Sequence, residues 1–183
     1  MSLFARMSPF LLVGGGALMV ALLLAMTIDL ESPAIYGFFV VAPAIGVGVL
    51  GALVVVGNGA GRLGRVSAWV AGLGGILLVI VGGYAIATNQ FVVGAGVGGD
   101  DPLAVPFALT SMAWMVGSLG FALALVRSRM IPPLGGWLVL AGTVLAMGLG
   151  TLLGSIAPQL SPLSALLFGV GWAVVGWNTR AAG

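Results

Sequence analysis

The chain has 183 residues, 61% of them hydrophobic and only 5% charged, with a net charge of +2. A soluble domain carries about 25% charged residues, so this composition excludes a water-facing surface of ordinary size and predicts an all-α, polytopic membrane helix bundle. Six arginines are the only cations, and Lys, His and Cys are absent, which removes a retinal Schiff base, haem ligation through His or Cys, Cys/His zinc sites, iron–sulfur clusters and histidine-assisted nucleophiles.

The first apolar stretch, Pro9–Thr27, is long enough to cross a hydrocarbon core of roughly 30 Å. Arg6 before it imitates a signal peptide, but no small-residue cleavage pattern precedes "IDLESP", and the segment is expected to be retained. Ala17, Ala21 and Ala25 recur every four residues, a small-residue stripe expected to hold neighbouring helices together. A second stretch follows at Ala34–Gly57. Pro43 is expected to bend it, while Ala44, Gly48 and Ala52 form its own small-residue face.

Between the second and third stretches lies "GAGRLG" (59–64), with Gly59, Gly61 and Gly64 at the dinucleotide-binding spacing. That fingerprint requires a preceding strand and an acidic residue about 20 positions on. The next acid is Asp100, so the glycines are read as a tight turn between two membrane helices. No nucleotide or nucleic-acid partner is expected.

The third stretch, Val66–Thr88, repeats the first. "RMSPFLLVGGGALMV" (6–20) aligns without a gap on "RVSAWVAGLGGILLV" (65–79), pairing Arg6 with Arg65, Ser8 with Ser67, Phe10 with Trp69 and Gly15–Gly16 with Gly74–Gly75. An apolar, glycine-rich segment (91–99) then precedes Asp100–Asp101. These acids, with Asp29 and Glu31, supply oxygen ligands of the kind Ca²⁺ and Mg²⁺ use, but they are read as marking hydrated outer loops. No metal site and no cofactor are expected.

The fourth stretch, Pro106–Val126, holds Ser111, Trp114 and Ser118 on one helical face. These three are the candidate residues for contact with a lipid tail, a quinone or another subunit's helix; the competing reading is internal packing, with each hydroxyl bonded to its own helix. Trp69, Trp137 and Trp177 sit nearer helix ends, where interfacial aromatic belts are expected. The fifth and sixth stretches are Pro132–Ile156 and Leu163–Asn178. "GGWLVLAGTVL" in the fifth echoes the first and third, and the even stretches align on Gly51, Gly120 and Gly171. The pattern predicts three tandem parallel hairpins.

Arg6, Arg62, Arg65, Arg127, Arg129 and Arg180 all fall on one side of the six spans, and the four acids on the other. The positive-inside rule then places both termini in the cytoplasm. Using arginine alone for positive charge fits the plasma (inner) membrane of a bacterium or archaeon. No ionisable residue sits in mid-span, where proton relays and ion-coupled carriers usually place one, although backbone carbonyls can bind ions without charged side chains. The expected function is a non-catalytic accessory or scaffolding subunit of a larger membrane complex, partnered by lipids and other membrane subunits. The alternative is a transporter or channel for an uncharged or lipidic small molecule.

Overall fold

The structure is a computed structural model and describes residues 3–28, 37–87, 103–149 and 160–182. All regular structure among them is helical. Six helices occupy the six apolar stretches: α1 (Leu3–Ile28), α2 (Phe38–Val56), α3 (Gly61–Ala87), α4 (Ala104–Ser128), α5 (Leu134–Val144) and α6 (Leu160–Ala182). Three of them contain segments long and apolar enough to cross a membrane, at Phe39–Val56, Gly61–Tyr84 and Val105–Ser128, while Arg6–Leu22 and Leu134–Met147 are shorter apolar stretches.

The boundaries depart from the expected ones for local reasons. α1 starts at Leu3, ahead of Pro9, which lies inside the helix. α3 starts at Gly61, so Arg62 and Arg65 stand in its first turns and outside the connecting loop. Helical structure here runs past the apolar stretch, because hydrogen bonding continues where hydrophobicity ends. α5 is shorter than its stretch: a π-helical turn at Leu145–Leu149 replaces α-geometry, and residues 150–156 lie outside the described residues. Just before that turn, Thr143 donates its hydroxyl to the Val139 carbonyl at 2.7 Å, a back-bond that tends to bend helices.

Each helix runs antiparallel to its neighbours in sequence, and α1 packs against α6 to close the circuit. The described arginines therefore gather at one end of the bundle. The acidic residues and segment 91–99 lie outside the described residues. α2 touches both α4 and α6 across the middle, so the core sits among the even-numbered helices at Ile45, Val49, Phe121 and Trp172.

Glycine sets the helix spacing. A Cβ on Gly16 would meet the Gly169 carbonyl and the Ala173 nitrogen of α6; on Gly75 it would meet the Ala42 carbonyl of α2 at 2.5 Å; on Gly74, the Trp114 nitrogen of α4 at 2.5 Å. Close backbone approach of this kind drives association where hydrophobic transfer between helices contributes little. Of the second stretch's small-residue face, Gly48 and Ala52 are buried. The α1 stripe is a correction: Ala17 and Ala21 are exposed, so they do not hold helices together within this chain.

α1, α3 and α5 share one burial register. Phe10, Trp69 and Trp137 face outward, and Leu12, Ala71 and Val139 are fully buried. Gly15, Gly74 and Gly142 each face the next helix, at Ile45, Trp114 and Phe168. Where Gly16 and Gly75 touch the preceding helix, α5 carries Thr143, and the α4–α5 seam is correspondingly the loosest in the ring.

The glycine-rich turn is a short 3₁₀ segment, Gly57–Ala60, preceded by helix and not by a strand. Gly61 follows with φ +63° and open space around its missing Cβ. Gly61→Ala is expected to lower stability by about 1–2 kcal/mol, the cost of a Cβ in the left-handed region, without altering any ligand affinity. A melting curve with and without added nucleotide checks both halves.

Candidate functional site

Two parallel helices, α4 and α6, present aromatic residues to each other inside the bundle. On α4, Trp114 and Phe121 are two turns apart and share a face; on α6, Phe168 and Trp172 are one turn apart. The Trp114 ring meets Phe168 edge-on at 5.3 Å between centroids, Phe168 meets Trp172 edge-on at 6.0 Å, and Trp172 stacks on Phe121 at 6.4 Å. The result is a continuous aromatic column. Glycines seat it from behind: Gly74 admits Trp114 against α3, and Gly142 brings the Phe168 nitrogen within 2.5 Å of where its own Cβ would stand.

Three polar atoms here are buried without hydrogen-bond partners: Trp114 Nε1 and Trp172 Nε1 of the column, and Ser118 Oγ, one turn along α4 from Trp114. Two buried hydroxyls elsewhere on α1 and α6 are satisfied. Ser8 donates to the Gly48 carbonyl across the first hairpin at 2.7 Å, and Thr179 to the Gly176 carbonyl at 2.9 Å. An unpartnered buried donor costs about 1–3 kcal/mol, so the cluster holds unused capacity for an acceptor. Chemically it offers hydrogen-bond donors and aromatic faces. Among the described residues it holds no titratable side chain and no His/Cys/Asp/Glu group able to hold a metal ion.

Of the three candidate contact residues, Trp114 is 6% exposed and Ser118 fully buried, while Ser111, one turn nearer the other end of α4, is half-buried. Anything that contacts Trp114 and Ser118 must enter the bundle. The expected bond from the Ser118 hydroxyl to its own helix is not made; Thr110 instead makes such bonds, to the Pro106 and Phe107 carbonyls. Sequence reading missed Trp172. The signal was the alignment on Gly120 and Gly171, which puts Phe121 and Trp172 at one position of the repeat and marks the place where they stack.

The fold and the column define a closed ring of antiparallel helices with a plugged aromatic centre. No protein-family model matches the chain, and no curated protein or solved structure matches it either.

Proposed function

We propose that this chain is an integral membrane protein whose six helices all span, as three tandem parallel hairpins with both termini in the cytoplasm of a bacterium or archaeon. It acts there as a non-catalytic accessory or scaffolding subunit of a larger membrane complex. Exposed apolar side chains around the bundle, such as Leu77, Ile80 and Val105, support lipid exposure, and the arginines at one end support the orientation. The observation that carries the subunit reading is the outward stripe on α1. Gly14, Ala17 and Ala21 are exposed, and nothing lies within 4 Å of where a Gly14 Cβ would stand. Such a face is unused inside the chain and shaped for close approach by another helix.

The second reading, a carrier for an uncharged or lipidic molecule, is favoured by the unpartnered Trp114 Nε1, Ser118 Oγ and Trp172 Nε1. Ser111, Trp114 and Ser118 are its proposed contact residues.

Mild detergent extraction from the native membrane separates the two. Co-purifying subunits that are lost on Gly14→Leu support the first reading, and a solitary, monodisperse protein supports the second. Single cysteines at Gly59 and Gly99 are expected to label from opposite sides of intact cells. Labelling from one side would end the six-span topology.

A further inference from the structure

At the arginine-bearing end, α4 and α5 part around an open groove of about 550 Å³ whose lining includes Val126, Arg129, Ile131, Pro133 and Trp137. The α6–α1 seam at the same end supplies an internal comparison. The alignment of Gly120 with Gly171 pairs Val126 with Trp177 and Arg129 with Arg180, and the odd-helix alignment pairs Trp137 with Phe10. At the α6–α1 seam the Arg180 guanidinium lies 5.5 Å from the Phe10 ring centre and 6.0 Å from that of Trp177. Its charge is already engaged by aromatic faces. At the α4–α5 seam valine stands where that tryptophan stands, and the missing ring leaves the groove. Among the described residues, Arg129 has neither a ring contact nor an ion pair.

The backbone adds a second observation. Arg129 ends α4 with φ +51°, the only positive φ on a non-glycine residue among the described ones. Glycine usually closes helices in this conformation, because a Cβ is strained there. The chain keeps a long cation at a position where glycine would fold better, beside an open, largely apolar groove.

We propose that the groove binds an anionic phospholipid from the leaflet on the arginine side. The Arg129 guanidinium takes the phosphate through paired N–H···O bonds, for which its planar fork is suited. Trp137, at the depth where aromatic rings meet lipid head groups, and the apolar walls at Val126 and Ile131 carry the glycerol and the first methylenes of an acyl chain. Basic pockets between helices at this interface favour anionic head groups over zwitterionic ones. The inference rests on the membrane-spanning reading above.

The test uses the full chain in detergent, supplemented with phosphatidylglycerol or phosphatidylcholine, with retained lipid counted by native mass spectrometry. The wild type is expected to retain phosphatidylglycerol preferentially. Arg129→Gly and Arg129→Asn are each expected to weaken that retention about fivefold, the factor that one arginine contributes near an anionic surface. Arg127→Gln removes an equal charge from an exposed site outside the groove and is expected to change little. In lipid-free detergent Arg129→Gly should melt no lower than the wild type; should it fail to fold, the asparagine variant, which tolerates the left-handed conformation, carries the test. Unchanged retention in the Arg129 variants, or equal loss in Arg127→Gln, overturns the groove. So does displacement of the lipid by millimolar inorganic phosphate, which would show that no acyl chain is held. Alkaline carbonate extraction of membranes keeps the two readings apart. Release without detergent ends the membrane reading, whereas a membrane-retained protein without lipid preference ends only the groove.

Discussion

Gly16→Ala is expected to destabilise the bundle by about 3 kcal/mol, the upper end of overpacking costs. The same change at Gly14 is expected to be neutral or to stabilise by up to about 1 kcal/mol through helix propensity. The two sites are two residues apart on α1 and differ only in what they face. A Cβ on Gly16 points at the Gly169 carbonyl and Ala173 nitrogen of α6, whereas one on Gly14 meets nothing within 4 Å. Backbone cannot swing aside as a flexible side chain can, so α1 and α6 must separate and the circuit of helices opens. Gly117→Ala is expected to resemble Gly16→Ala, because its Cβ would meet the Ala71 nitrogen on α3. Reversible unfolding in mixed detergent gives the comparison. A Gly16→Ala variant as stable as the wild type would show that α1 and α6 do not meet along this line.

The helices were legible, and the reason is length: an uninterrupted apolar run of about 20 residues lacks the two-residue alternation of a half-buried strand and exceeds a strand's usual length. So was the repeat. Ser8 and Ser67, Phe10 and Trp69, and the glycine pairs keep the same faces in α1 and α3 because a gapless alignment preserves helical phase. Which small residues point inward was not legible. Ala17 and Ala21 follow the same four-residue spacing as Ala44 and Gly48, and only the neighbouring helix decides that the first pair is exposed. Phase within one helix says nothing about the direction of its partners. Arg129 was hidden for a related reason. As a charge beside a turn it counts equally with Arg127, and its left-handed backbone and the groove beside it are features of the folded α4–α5 connection. The aromatic column was half legible: Trp114 stood out by depth, but its contacts come from α6, far away in the chain.

Trp172→Ala is expected to cost about 3–5 kcal/mol, the range for removing a large aromatic from a core. Trp172 is fully buried, stacks on Phe121 and meets Phe168 edge-on, so truncation leaves a void at the meeting point of α4 and α6. Trp172→Phe separates packing from polarity. It keeps an aromatic ring in the column and deletes the unpartnered Nε1 donor. Losing an unsatisfied buried N–H returns about 1–3 kcal/mol, which offsets much of the lost volume, and the phenylalanine variant is expected to melt within a few degrees of the wild type. Trp114→Phe should behave similarly, since its Nε1 is equally unpartnered. Thermal melts of both variants, in detergent and again in native membranes, read the difference. If phenylalanine is benign in detergent yet strongly destabilising in membranes, the two indole donors are occupied there by an acceptor-bearing molecule, and the carrier reading gains over the subunit reading. If it is benign in both, the column is packing alone and the donors serve no ligand.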